Sequence, residues 1–133
     1  MKRALVRARC IASAAVLLLG GGIAMAQTTQ EAADIAKGKR LFMRCAACHE
    51  ATNTNTPKIG PHLHKLVGRP MAGVEGYKYS EAMKAKKLVW DDKQLDAWLK
   101  KTSDVVPGTT MAFAGMPDPE ERKALISFLK TLK

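Results

Sequence analysis
Residues 45–49 read Cys-Ala-Ala-Cys-His, and no other stretch limits the fold so severely. Two thiols three positions apart on a helical turn project to one side, and the next imidazole is carried beside them. A structural disulfide is a poor reading of cysteines separated by two residues with a histidine directly after. The preceding residues fit a helix over 31–46. Ile35, Gly38, Phe42, Cys45 and His49 recur at spacings of three and four, which places them on one face. The helix ends at a loop, because residues 51–61 (ATNTNTPKIGP) are rich in turn formers.

The rest of the chain alternates short helices with long irregular segments. Residues 27–30 read as a frayed end. Leu63, Leu66 and Val67 form a short apolar set, and residues 68–79 carry repeated Gly and Pro and read as a second loop. Ser80 is placed to cap a helix through about Lys86. Asp91 is placed to cap the next helix, with Leu95, Trp98, Leu99 and Thr102 on one face and Lys100 and Lys101 at its cation-favouring end. Residues 103–117 read as a loop. Asp118, Pro119 and Glu121 make a strong start for a last helix, whose apolar face is Leu125, Phe128, Leu129 and Leu132. No alternating stretch is long enough to argue for a sheet, so the class is all-α. Compact domains rarely carry several structureless stretches of a dozen residues, and a core of this size is marginal alone. A buried cofactor answers both difficulties by giving the loops an apolar surface to pack on.

The first 26 residues read as a leader. Lys2, Arg3, Arg7 and Arg9 precede an apolar run over 11–23, and Ala24-Met25-Ala26 ends it. That pattern is a secretory signal, with cleavage expected after Ala26 and one domain over 27–133. The apolar run is shorter than the roughly 20 residues of a spanning helix. Without the four leader cations, 18 basic residues face 12 acids, a formal charge of +6. Such a surface steers a protein toward acidic docking partners. Nucleic acid is disfavoured, because the chain is read as exported and holds no run of five basic residues.

C-x-x-C-H is the attachment signal for a c-type haem: both thiols add to the haem vinyl groups and the histidine comes under the iron. A redox dithiol lacks its strand–helix context. A zinc site needs two further ligands, and His62 and His64 have no second cysteine pair to join. The sixth iron position separates electron transfer from chemistry on a small ligand, and a methionine there closes it. Met43, Met71, Met83, Met111 and Met116 are the candidates. Met111 follows the tight Pro107-Gly108-Thr109-Thr110 loop and lies far enough along the chain to reach the opposite face.

Gly38, Phe42, residues 45–49, GPHL at 60–63, Gly68-Arg69, Gly76-Tyr77 with Tyr79, Trp90, PGTTMAF at 107–113, and Leu125 with Leu129 stand in order without large insertions. In this set the chain resembles the class I soluble cytochromes c of mitochondrial and bacterial periplasmic type, over residues 35–133. The resemblance implies a class I fold, with short helices and long loops wrapped around one covalently bound haem c. It implies thioethers at Cys45 and Cys48, His49 as proximal ligand, and the Pro61 carbonyl as acceptor for its other ring nitrogen. Met111 is implied as distal ligand. Tyr79 and Trp90 are implied to hydrogen-bond a propionate, with Arg69 offsetting its charge and Thr109 bonding a propionate or water. Phe113 is implied to cover the haem edge, and Gly38 and Phe42 to pack on Leu125 and Phe128.

The chain departs from the family pattern in places. Trp98 stands where a tyrosine is usual, Met83 where asparagine is common, and Thr110 where a lysine often precedes the ligand. Met116-Pro117 resembles the ligand motif of other class I subgroups, which keeps Met116 as the alternative. The resemblance implies a monomeric periplasmic one-electron carrier, not an enzyme. Its donor would be a quinol–cytochrome c reductase, and its acceptor an oxidase, a photosynthetic reaction centre or a peroxidase. Lys58, Lys65, Lys84, Lys86, Lys87, Lys100 and Lys101 are the candidate docking charges. The competing readings are a haem enzyme or gas sensor, which would need an open iron and a distal acid/base group, and a subunit serving as the acceptor of a dehydrogenase.

Overall fold
The computed structural model of the chain describes residues 21–54 and 58–133, with side chains from Gln27 onward. The first 20 residues of the expected leader lie outside the described residues. The architecture is helical: α1 (Gly21–Phe42), α2 (Glu81–Ala85), α3 (Asp92–Lys100), α4 (Thr102–Val105) and α5 (Pro119–Leu129). The one extended pairing among the described residues is an isolated antiparallel bridge between Pro70 and Val89. No described helix is long and apolar enough to cross a membrane.

Local chemistry explains most helix starts. The Ser80 side chain accepts from the Met83 amide, Asp91 from Gln94 and Asp118 from Glu120. Each satisfies one of the donors a helix start leaves unpaired. Pro119 opens α5, followed by Glu120 and Glu121 in its positive first turn. Three boundaries differ from the sequence reading. α1 begins at Gly21 and runs through residues 27–30 rather than fraying there. Its regular part ends at Phe42, not near residue 46, and tighter turns follow. Thr102 does not continue α3; it opens the short α4, which the sequence reading took for loop.

α1 packs principally on α5, and α3 on α4 and α5. The α1–α5 crossing is close because Gly38 has no side chain. A Cβ there would lie 2.7 Å from the Ala124 carbonyl carbon and 2.8 Å from Phe128 Cβ. One turn on, Phe42 and Phe128 meet at 5.2 Å between ring centroids. Gly38 therefore abuts Ala124 and Phe128 directly, while Leu125 is buried in the same core. Asp34–Lys123 at 3.1 Å and Arg44–Glu121 at 3.6 Å flank the crossing, each with its cation open to solvent, and pairs so exposed on one side add little.

Between α1 and α2 the described stretch forms no helix. Long-range backbone bonds hold it: Lys65 to Leu132, Gly68 to Trp90, Met71 to Leu88 and Trp90 to Arg69, at 2.7–3.0 Å. Leu66, Met71 and Trp90 bury there against Leu95, Trp98 and Leu99 of α3. Trp90 and Trp98 meet edge to face at 5.4 Å.

Candidate functional site
The Cys45–His49 segment is a continuation of α1 by tighter turns. Cys45 and Ala46 amides donate to Phe42, and the Cys48 and His49 amides both donate to Cys45, at 2.8–3.0 Å. The cysteines are free thiols, each half-buried. Burial pushes the Cys45 thiol above its ordinary value, outweighing the opposing charge of Arg44.

His49 is fixed by the chain that returns over it. Its Nδ1 lies 2.7 Å from the Pro61 carbonyl. A carbonyl only accepts, so the proton is assigned to Nδ1 and Nε2 is left unprotonated, free to act as a ligand. Burial lowers the His49 pKa most; the Pro61 acceptor opposes that, and Lys58 adds to it. Burial favours the neutral imidazole, and the Pro61 bond orients it. Gly60 is the cradle: a Cβ there would meet the ring at 2.6 Å from Nδ1 and 2.9 Å from Nε2. The Gly60 amide donates to Cys48 and the Leu63 amide to Glu50, closing the return.

Lys58 departs from its assignment as a docking charge. Its ammonium turns inward to the Ala46 carbonyl at 2.5 Å and pairs with Glu50 at 2.9 Å. Of the remaining candidates, Lys84 pairs with Glu81 and Lys101 with Asp104. Lys65, Lys87 and Lys100 are exposed and have no ion pair among the described residues.

Arg69, Tyr79 and Trp90 form a second cluster. Arg69 donates to the carbonyls of His64 at 2.9 Å and His62 at 3.0 Å. Its Nε is buried with no partner, and no carboxylate pairs with it among the described residues. Burial lowers the Arg69 pKa, though a guanidinium stays charged. Tyr79 accepts from the Val74 amide at 3.2 Å, which leaves its own hydroxyl hydrogen to donate. Burial pushes its pKa up, against the Val74 bond and the Arg69 charge. Trp90 is buried, and its backbone accepts from Gly68 and donates to Arg69. A half-buried guanidinium whose Nε lacks a partner, beside a Tyr79 hydroxyl with its hydrogen to donate and with no acid paired to it, fits the propionates of a haem.

His62 and His64 do not join the cysteines. Their rings are 6.2 Å apart, and no described group of three or more His, Cys, Asp or Glu is arranged to hold a metal.

Met111 is half-buried against the core, with its amide donating to Thr109 Oγ1 at 3.3 Å. Thr109 thus braces the Met111 backbone, a contact the sequence reading did not include. Phe113 is also half-buried against the core. Met116 is 3% exposed, with its amide on Leu99 O at 2.8 Å. The loop is pinned at that end by Arg122, a residue the sequence reading missed. Its guanidinium is buried, donating to Asp96 at 2.7 Å and to the Met116 and Pro117 carbonyls at 2.9 Å each. The missed signal was a lone arginine at three and seven positions before Leu125 and Leu129, on the apolar face of α5.

A family model described as "Cytochrome c" matches residues 35–133. Cytochrome c2 of Rhodomicrobium vannielii is 35% identical over 116 residues, spanning 87% of this chain and 93% of that protein. Cytochrome c of Gibberella zeae is 45% identical over 98 residues, spanning 73% and 92%. The solved structure of cytochrome cH from Methylobacterium extorquens superposes with a TM-score of 0.68 at 39% identity, covering 74% of this chain and 98% of that one.

Proposed function
Because the chain belongs to the cytochrome c family, we propose that it is a periplasmic one-electron carrier, exported by its 1–26 leader, with His49 and Met111 as iron ligands. The family carries covalent haem c and its members are electron carriers, not enzymes. The observation that carries the ligand reading is the His49 ring, held with Nδ1 2.7 Å from the Pro61 carbonyl so that Nε2 is left to act as a ligand, close to Cys45 and Cys48.

When bound, the haem supplies a one-electron ferrous/ferric couple. Cys45 and Cys48 would hold it by thioethers, and His49, oriented by Gly60 and Pro61, would offer Nε2. Arg69, Tyr79 and Trp90 supply charge and donors to the propionates. Met111 is favoured over Met116, because Met116 is locked in the core by Leu99 and Arg122 while Met111 heads a less constrained stretch. Phe113 shields the edge, and Thr109 braces the Met111 backbone. With both ligands retained in the two oxidation states, little would reorganise at each transfer.

The relatives named cytochrome c2 and cytochrome cH support a shuttle between membrane-bound respiratory or photosynthetic complexes. A quinol–cytochrome c reductase is the donor on this reading. An oxidase, reaction centre or peroxidase accepts. Lys65, Lys86, Lys87 and Lys100 are the docking charges for acidic partners. The test is Met111→Ala in the purified holoprotein. Its reduced form is expected to bind carbon monoxide, and indifference to carbon monoxide would remove Met111 as the ligand.

A further inference from the structure
We propose that Lys58 is a positioning residue for the His49 segment, clamping the returning chain onto the carbonyl end of the Cys45–His49 turn. The clamp rests on the haem reading for its effect on potential, but its geometry stands apart from that reading. The Lys58 ammonium has three donors. One meets Ala46 O at 2.5 Å, Glu50 Oε1 lies at 2.9 Å, and His49 O is at 3.4 Å. The last carbonyls of a helical turn carry partial negative charge, so a cation belongs there. Both side chains of the ion pair are mostly covered, 26% exposed for Lys58 and 27% for Glu50. Lys84 and Lys101, in ordinary surface pairs, are 52% and 64% exposed.

The clamp acts on His49 through the residues just C-terminal to Lys58. Lys58 is joined by one residue to Gly60, which abuts the His49 ring, and by two to Pro61, whose carbonyl takes the Nδ1 proton. The Gly60–Cys48 and Leu63–Glu50 backbone bonds close the same return. Removing Lys58 takes away one of two side-chain holds on this return, the other being the Tyr77 hydroxyl on Ile59 O at 2.7 Å, and leaves Glu50 unpaired beside the turn. Removing the Glu50 charge leaves Lys58 unpaired in the same place. Both changes loosen the return, yet they alter the local field with opposite signs. A lysine already neutralised by Glu50 contributes no net charge to a docking partner.

The experiment compares Lys58→Met, Lys58→Arg and Glu50→Gln holoproteins with the parent. Amide hydrogen exchange at Gly60 and Leu63 is expected to quicken about tenfold in Lys58→Met, the scale of one lost charged hydrogen bond. It should quicken less in Glu50→Gln, and Lys58→Arg should restore most of the protection. The reduction potential should fall in Lys58→Met and rise in Glu50→Gln. Exchange unchanged in both neutral variants, with the effect confined to the ionic-strength dependence of oxidation by hexacyanoferrate(III), would overturn the clamp and return Lys58 to the docking surface. A purified protein with no covalently held haem would sink the electron-carrier reading and leave the exchange result to decide the clamp.

Discussion

The two segments proposed to hold the iron are secured in opposite ways. Around His49, most restraints lie within about a dozen residues: the turns after Phe42, the Gly60 cradle, the Pro61 acceptor and the Lys58 ammonium, with the Tyr77 hydroxyl on Ile59 O, 18 positions on, as the exception. Around Met111, the strong restraints sit at the far end of the loop. There Met116 bonds Leu99, Gly115 crowds the Lys100 carbonyl with φ +88°, and Arg122 holds two carbonyls. Met111 itself has one long bond, to Thr109. The histidine side is thus fixed mainly by local sequence, and the methionine side by tertiary contacts to α3 and α5. The difference predicts which side yields first when the fold is stressed.

The largest expected effect is at the remote anchor. Arg122→Leu strands the Met116 and Pro117 carbonyls and leaves Asp96 to solvent. A loss of about 3 kcal/mol is expected, chiefly from the two stranded carbonyls, since Asp96 is 47% exposed and its share of the ion pair adds little. Denaturant unfolding measures it, and amide exchange should quicken at Met116 but not at Gly60. Gly60→Ala strikes the other side. Its Cβ forces the His49 ring off the Pro61 carbonyl, at a cost of about 2 kcal/mol on the scale of overpacking. Its exchange pattern should be the reverse. Equal loosening at both sites in either variant would erase the distinction drawn between them.

Thr109→Val tests the weak end of the methionine loop. Losing one neutral acceptor should cost about 1 kcal/mol, with faster exchange at the Met111 amide alone. The smallest effect belongs to Asp34, which is remote from both segments. Gln30 and then Lys123 hold its carboxyl below the ordinary value. A depressed carboxyl stabilises fully above its unfolded pKa, roughly 3.9, and the gain is lost as pH falls through the folded value. Asp34→Asn should therefore destabilise slightly at neutral pH and flatten the acid limb of a stability–pH curve. An unaltered acid limb would show that this pair contributes nothing.

The same division explains what was readable in the sequence. Ser80, Asp91 and Asp118 announce their helices because a cap acts over two or three residues. The Cys45, Cys48 and His49 pattern is equally local. Gly38 and Phe42 meeting α5 was legible through the family resemblance. The inward turn of Lys58 was not, since a lysine's sequence context says nothing of a carbonyl 12 positions earlier. Arg122 reaches Asp96 across 26 positions, beyond any local pattern. α4 escaped notice because Lys101 makes no side-chain cap and only Thr102–Val105 are helical. The continuation of α1 through residues 27–30 was hidden by reading polar residues as a frayed end.

The central claim is that two protein ligands close the iron, one on each of these segments. The most direct measurement is the absorption spectrum of the purified holoprotein, oxidised and reduced, with and without carbon monoxide. The account predicts a low-spin c-type spectrum, a methionine–iron charge-transfer band in the oxidised form and no response to carbon monoxide. A high-spin spectrum that shifts with carbon monoxide would contradict it, and would mean that the Met111 segment does not supply the sixth ligand.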